Sequence, residues 1–158
     1  MPQSAIDQQI AEPSGQCAIT IDNVNEMVGD LFTSMLGMQI DTTPREICEI
    51  KEDDILASIQ INGDHRASVF VYTSLDLASV IGCAMFGQEP DEIEKADVLD
   101  ALGEVVNVIG GNIKGVIDKE CSLSLPCVGV SEGVCPSGDV HATYQLGGQP
   151  ISVVILHR

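Results

Sequence analysis

The alternation of apolar and polar residues is most informative over residues 97–117, where it predicts a long amphipathic helix. Apolar residues recur every three or four positions and form one stripe: Leu99, Leu102, Val106, Ile109, Ile113 and Val116. A polar set steps by four, three and four positions and falls on another side: Asp100, Glu104, Asn107 and Gly111. We therefore expect a helix that is buried along one side and presents a carboxylate and an amide together on the other.

Four glycines interrupt this predicted helix, at positions 103, 110, 111 and 115. Each glycine weakens a helix by up to about 1 kcal/mol relative to alanine. Their number favours a helix that another molecule must approach closely. The alternative is an ordinary amphipathic helix whose polar side is only solvated.

Two further helices are predicted. The first begins near Asp22, a suitable N-cap, and stops at Gly37. Its expected buried residues are Val24, Met27, Val28, Leu31, Met35 and Leu36. The second covers residues 74–86, with Ser74 or Asp76 as its cap. Its expected buried residues are Leu75, Leu77, Ala78, Ile81 and Met85.

Short strands are predicted for most of the remaining chain. They cover residues 38–43, 47–51, 55–61, 67–72, 122–125, 128–130, 140–146 and 151–156. Asn62-Gly63 is a strong signal for a tight hairpin between two of them, and Gly147-Gly148 predicts a second hairpin.

The order helix, strand, hairpin occurs twice, at about 22–73 and 97–157, with the helix at 74–86 as a spacer. Antiparallel hairpins combined with amphipathic helices predict an α/β (α+β) fold with one largely antiparallel sheet packed by helices. The two copies would be related by an approximate two-fold axis. Residues 1–16 are polar and aperiodic and are predicted to form a flexible arm before a single domain at 17–158.

The two predicted helices of the repeat can be aligned residue by residue. The alignment places Glu26 opposite Glu104 and keeps the apolar positions in register. Gly29, however, stands where the second copy has Asn107. Glu26 is therefore expected to be inert or structural.

Composition narrows the class of protein. A formal net charge of −17 argues against binding to nucleic acid or to anionic membranes, because both require a basic surface. No apolar run approaches the roughly 18 residues that span a bilayer. The first residues lack the pattern of a secretory signal, so we expect a cytoplasmic protein.

Six cysteines, at positions 17, 48, 83, 121, 127 and 135, form no C-x-x-C pair and no ligand-like cluster with the three histidines. We therefore predict neither a metal site nor a disulfide framework. Cys48, Cys83 and Cys121 have apolar neighbours and are expected to be small core residues. A catalytic Cys–His pair stays open, although no local pattern supports it.

The polar side of the long helix, Asp100-x-x-x-Glu104-x-x-Asn107-x-x-Gly110-Gly111, resembles the signature of the CheC/CheX/FliY phosphatases, which dephosphorylate the chemotaxis response regulator CheY. Chain length, duplication and element order resemble that family over about residues 20–158. CheC-like members have two Glu-x-x-Asn motifs. Because Gly29 replaces the first asparagine here, the resemblance implies a single site, as in CheX members, and a homodimer.

The resemblance implies a phosphatase that hydrolyses the aspartyl phosphate of a phosphorylated CheY-like receiver. Asn107 would orient the attacking water, because a neutral amide can accept a hydrogen bond from water without repelling the phosphoryl group. Glu104 would bind the lysine beside the receiver's phosphoaspartate. Asp100, Gly110 and Gly111 are further expected partner-binding positions, although the two glycines suit packing better than chemistry. This chain would bind no cofactor or metal, since Mg²⁺ belongs to the receiver's site.

Two other functions remain open from the sequence. The chain could be a non-catalytic module that sequesters a phosphorylated receiver or docks in a signalling complex, although the intact Glu104/Asn107 pair argues for catalysis. It could also be an unrelated cysteine enzyme, which would require a thiol of low pKa.

Overall fold

The computed structural model describes residues 19–45, 50–117, 120–135 and 137–157. The predicted flexible arm at residues 1–16 lies outside these ranges, as do Cys17 and Cys48. The helical elements are α1 (Ile21–Gly29), a π-helical segment (Asp30–Met35), α2 (Leu75–Phe86) and α3 (Lys95–Val116). The strands are β1 (Ile40–Arg45), β2 (Glu52–Gly63), β3 (Ala67–Thr73), β4 (Cys121–Leu123), β5 (Cys127–Glu132), β6 (Val140–Leu146) and β7 (Gln149–His157).

The seven strands form one sheet in the order β1-β6-β7-β3-β2-β4, and β5 pairs with β2 beside β4. Every described pairing is antiparallel. The order is symmetric about the β7–β3 boundary, as an approximate two-fold predicts. The expected fold class, a mainly antiparallel sheet packed by helices, is confirmed.

The two halves exchange their outer strands. β1, which follows the first helix, pairs with β6 of the second hairpin. β4 and β5, which follow α3, pair with β2 of the first hairpin. Each half therefore completes the sheet of the other.

The core lies between the sheet and the helices. Alternate residues of β2 are buried, and they are Ile55, Ala57, Ile59 and Ile61. This alternation is expected for a strand with one face on the core. α3 packs against β2 and α2, so the part of the sheet around β2 supports the helix predicted to bear the site.

The first helix differs from its prediction at both ends. It is capped by Thr20, not by Asp22: the Thr20 Oγ1 atom accepts a hydrogen bond from the Asn23 backbone N–H at 3.2 Å. Near the other end, the Leu36 N–H donates to the Leu31 carbonyl five residues earlier, which is the π-helical pattern. Gly37 ends the segment with φ +64°, as predicted.

The π-helical segment changes the directions of its own side chains relative to those of an α-helix. Met35, expected to be buried, is 65% exposed, whereas Phe32 is completely buried. A π-turn contains more residues than an α-turn, so the 3.6-residue period used for the prediction no longer holds there.

α2 begins as predicted, because the Ser74 hydroxyl accepts a hydrogen bond from the Leu77 N–H at 3.1 Å. Leu77, Ala78 and Ile81 are buried as expected. Leu75 is 46% exposed, contrary to the prediction, because it lies on the solvent side of the first turn.

One of the two predicted hairpins has a different connection. Gly147 and Gly148, both at positive φ, form the expected two-residue turn between β6 and β7. Asn62-Gly63 does not form such a turn, because Ile61 pairs with Ala67 and β2 continues past β3. The extension pairs with β4, so Asn62 and Gly63 are strand residues and not turn residues.

The predicted strand at 47–51 is only partly testable, since residues 46–49 lie outside the described ranges. Ile50 and Lys51 are not in a strand, and β2 begins at Glu52. No helix in the described part of the chain is long and apolar enough to cross a membrane.

Two histidines meet near the seam where β3 pairs with β7. The His65 Nε2 and His157 Nδ1 atoms are 3.1 Å apart, and the rings meet edge to face. The backbone N–H of His157 donates to Asp139 Oδ2 at 2.6 Å. Burial lowers the pKa of His157, a nearby Asp139 charge opposes that shift, and His65 adds to it.

Candidate functional site

α3 begins two residues before the predicted position because of its N-terminal cap. The Glu94 N–H donates to Asp97 Oδ2 at 3.3 Å, in the capping-box arrangement that satisfies a free backbone donor. The helix then runs for 22 residues despite its glycines. Tertiary packing on several sides offsets the low helix propensity of those glycines.

The buried side of α3 is wider than the predicted stripe. Leu102, Val106, Ile109 and Ile113 are buried as expected. They are joined by Val98, Ala101 and Val105. Val116 is 38% exposed and Leu99 is only half-buried, contrary to the prediction. The extra burial arises because α3 contacts α2 as well as the sheet.

The predicted polar face exists on α3. Asp100, Glu104 and Gly111 are exposed, and Asn107 is half-buried. Within the described ranges, neither the Glu104 carboxylate nor the Asn107 amide has a hydrogen bond or an ion pair. A carboxylate and an amide three residues apart on a helix are neighbours on its surface. The Glu104 carboxylate can therefore bind a cation, and the neighbouring Asn107 amide can hydrogen-bond to water.

The two adjacent glycines of α3 have different surroundings. An added Cβ at Gly110 would lie 2.9 Å from Ile59 Cγ2 of β2, which is too close for an ordinary contact. An added Cβ at Gly111 would meet nothing within 4 Å. Gly110 is thus buried against the sheet and offers no surface to a partner, whereas Gly111 lies on the exposed side.

A groove of about 440 Å³ lies directly beside Glu104. It is lined by Phe86, Leu99, Asp100, Gly103, Glu104, Pro126 and Val128. The sequence prediction missed this feature because its walls come from α2, α3 and the β4–β5 region. The local sequence feature that could have indicated the groove is Gly103, which precedes Glu104.

The equivalent region of the first half is built differently. Glu26 is exposed, but Gly29 is half-buried and faces β1, where an added Cβ would lie 3.4 Å from Thr42 Cγ2. Asn25 aligns with Gly103, and its Oδ1 atom accepts a 2.5 Å hydrogen bond from the Tyr144 hydroxyl. Burial raises the pKa of Tyr144, which keeps this hydroxyl protonated as a donor.

The cysteines are less buried than predicted. Cys83 and Cys121 are half-buried, Cys121 packs against the core as expected, and Cys127 is exposed. The Cys135 Sγ atom lies 3.8 Å from His141 Nε2, but neither residue lines the groove beside Glu104. In the ranges that the structure covers, no three His, Cys, Asp or Glu residues are grouped so that they could hold a metal ion.

Comparison with protein families matches residues 55–141, more than half of the chain, to the family described as chemotaxis phosphatase CheX. The matched region includes most of β2, all of β3 and α2, and α3 with its Glu104/Asn107 face. The chain belongs to this family. No curated protein matches the sequence at a significant level.

Solved structures of the same family have the same fold. Chemotaxis protein CheX from Vibrio vulnificus is 19% identical, with a TM-score of 0.67 over 89% of this chain and 100% of that chain. A chemotaxis protein CheX from Desulfovibrio desulfuricans is 21% identical, with a TM-score of 0.68 and the same coverage. The CheX–CheY–BeF3–Mg²⁺ complex from Borrelia burgdorferi is similar at 15% identity and a TM-score of 0.67, over 87% of this chain and 97% of that chain.

Proposed function

We propose that this protein hydrolyses the aspartyl phosphate of a CheY-like receiver in chemotaxis signalling. The observation that carries the proposal is the Glu104/Asn107 pair, which shares one accessible face of α3 and has no internal partners among the described residues. Membership in the chemotaxis phosphatase CheX family supports it. The related Borrelia burgdorferi structure is a complex of CheX with CheY, BeF3 and Mg²⁺, which supports a receiver as the partner.

Asn107 has the role of placing the water. In the reaction, the water oxygen attacks phosphorus, the bond from phosphorus to the aspartate oxygen breaks, and the aspartate leaves as a carboxylate with release of phosphate. Phosphoryl transfer depends mainly on positioning and on fixed polarity. The half-buried amide of Asn107 is oriented by its helix and accepts a hydrogen bond from the water. An aspartate at this position would repel the anionic phosphoryl group.

Glu104 has the role of holding the receiver. Its exposed carboxylate lies one turn before Asn107 and would pair with the lysine beside the receiver's phosphoaspartate. Such a pair becomes desolvated at the interface and is stronger than an ion pair on an open surface. Asp100 extends the negative charge by one further turn, and Gly111 lets the receiver approach the helix backbone. Gly110 contributes only indirectly, by letting α3 lie close to β2.

The proposed reaction also requires a metal ion, a compartment and an assembly state. The Mg²⁺ required for the chemistry belongs to the receiver and is part of the substrate. The protein works in the cytoplasm, where receivers are found, and as a homodimer, as the family resemblance implies.

Phosphate release from a phosphorylated CheY receiver with Mg²⁺ tests the function. We expect the wild-type protein to accelerate release and Asn107→Ala to lower the catalysed rate by roughly 10²–10³, the usual cost of one oriented polar group. Asn112→Ala is the matched control, because it removes an exposed asparagine from the same helix outside the polar face. Equal rates for wild type and Asn107→Ala would overturn the role of the amide. Receiver binding without any acceleration would favour the non-catalytic module.

A further inference from the structure

The groove beside Glu104 is an apolar surface that the hydrolytic chemistry does not use. Phe86 is 43% exposed at the end of α2, where Gly87 turns the chain away with φ +64°. Pro126 and Val128 form the opposite wall, and Leu125, which precedes Pro126 in the chain, is 89% exposed. An exposed large apolar side chain that lines a groove with further apolar residues is typical of an interaction surface.

Gly103 keeps this groove open. A Cβ at position 103 would lie 3.6 Å from Pro126 Cγ and 3.6 Å from Val128 Cγ2. These are ordinary contact distances, so a methyl group would fit at this buried position, and a larger side chain would extend into the groove. A glycine in the middle of a helix is otherwise unfavourable by about 1 kcal/mol relative to alanine. The absence of a side chain at position 103 therefore costs helix stability.

The rim of the groove is acidic. Asp100 and Glu104 line it and are both exposed, in a chain of formal net charge −17. An occupant must therefore present an apolar side chain with positive charge next to it. A second copy of this chain fits poorly, because it would bring a further net charge of −17 to the same surface.

The position of the first half that corresponds to Gly103 carries a side chain. Asn25, which aligns with Gly103, fills its site and accepts a hydrogen bond from Tyr144. The two halves therefore differ at this position, and in the half that retains Asn107 the missing side chain borders the groove.

We propose that the groove receives an apolar side chain of the receiver, adjacent to the receiver lysine that pairs with Glu104. This inference rests on the proposed function and adds to it a specificity pocket. Glu104 binds the cation and Asn107 places the water, while the groove selects receivers with an apolar residue at the required position. Its contribution is to the formation of the complex and not to the chemical step.

Filling the groove tests this proposal. Gly103→Leu places a side chain in it, and Gly103→Ala fills it partly. We expect Gly103→Leu to raise the KM for the phosphorylated receiver roughly 10- to 100-fold, the range expected for losing one buried apolar side chain. The kcat should stay within about two-fold of wild type. Gly103→Ala should have an intermediate effect on KM.

Gly115→Leu is the matched control for Gly103→Leu. Gly115 is an exposed glycine of the same helix with nothing within 4 Å of an added Cβ. Gly103 is buried, so a leucine there can strain its neighbours, and thermal unfolding followed by circular dichroism measures any loss of stability. Gly103→Ala, whose Cβ meets only ordinary contacts, keeps the test valid if Gly103→Leu does not fold. A second pair removes a wall: Phe86→Ala should raise KM, whereas Leu75→Ala, which removes a similarly exposed side chain from α2 outside the groove, should not.

Binding is measured in parallel by titration calorimetry with a CheY receiver loaded with beryllofluoride and Mg²⁺. Absence of phosphate release by wild type, with tight binding that Gly103→Leu weakens, would refute the hydrolytic function and retain the groove. Normal release with equal KM for Gly103→Leu and Gly115→Leu would refute the groove and retain the function. A fall in kcat alone would also overturn the groove proposal. So would a Gly103→Leu variant that dissociates a dimer but leaves KM and receiver affinity unchanged.

Discussion

The two halves of this protein begin with helices of similar pattern, but only one of them keeps a surface suited to chemistry. Glu26 and Glu104 occupy equivalent positions and are both exposed. In the second half the next turn presents Asn107, whereas in the first half it presents Gly29 facing β1. The comparison shows that the glutamate alone does not define a site, because the residues around it determine what can reach it.

The helices also differ in how they pack on the sheet. α3 lies close to β2 because Gly110 has no side chain, and it continues as a regular helix. The first helix has the large buried Phe32 at the aligned position and changes to π-helical geometry at Asp30. One helix is thus a continuous α-helix packed on the sheet, whereas the other changes its helical geometry and places a large aromatic side chain in the core.

The largest expected effect comes from moving the amide between the halves. Gly29→Asn introduced into Asn107→Ala should leave phosphate release roughly 10²–10³ below wild type. Position 29 faces Thr42 and is followed by the π-helical segment, so an amide there does not stand beside Glu26 as Asn107 stands beside Glu104. Recovery of activity in the double variant would show that the missing asparagine is the only important difference between the halves.

The next effect concerns the two glutamates. Glu104→Ala should weaken the affinity for a beryllofluoride-loaded receiver at least about 10-fold, because it leaves the partner lysine unpaired at the interface. The difference from wild type should shrink as salt is raised. Glu26→Ala removes the aligned carboxylate and should change the affinity less than about two-fold. Equal losses in titration calorimetry would mean that both halves bind the receiver.

A smaller effect is expected for the glycines that set the position of α3. Gly110→Ala places a methyl group 2.9 Å from Ile59 Cγ2, and it should reduce the free energy of unfolding by up to about 2 kcal/mol after the gain in helix propensity. Gly111→Ala enters open space and should raise it by up to about 1 kcal/mol. Urea unfolding at constant m-value measures both. A stabilising Gly110→Ala would contradict the tight contact between α3 and β2.

The smallest effect is at the seam between the halves, where His65 meets His157. Burial lowers the pKa of His157 in the folded protein, so the unfolded chain binds a proton at about pH 6.5 before the native state does. The contribution of His157 to the free energy of unfolding is therefore fully present above about pH 6.5. It is lost as the pH falls from 6.5 through the lower pKa of the native state. His157→Gln should therefore lose less stability than wild type between pH 7.5 and pH 5 in urea unfolding. Parallel pH profiles would contradict the inference.

Much of the fold follows from local patterns in the sequence. The period of two in β2, the Gly147-Gly148 turn and the Gly37 stop all depend on a few neighbouring residues, and the structure agrees with each of them. The polar face of α3 was predictable for the same reason, because helical spacing alone determines which side chains share a side.

The features that the sequence did not predict depend on long-range contacts or on a change of helical period. Asn62-Gly63 has the sequence of a tight turn, but pairing with β4 extends the strand through it. Met35 is exposed because the π-helical segment shifts the phase of the side chains. The groove at Gly103 joins α2, α3 and the β4–β5 region, which no local pattern brings together.

The exchange of outer strands has a consequence for folding. Because β1 pairs with β6 while β4 and β5 pair with β2, neither half can complete its hydrogen-bonded sheet alone. The chain must close contacts between residues far apart in sequence before either edge is stable, which slows folding and makes it cooperative. The half without the asparagine is consequently indispensable: it supplies the strand on which the other half's helix rests, and the two must form or unfold together.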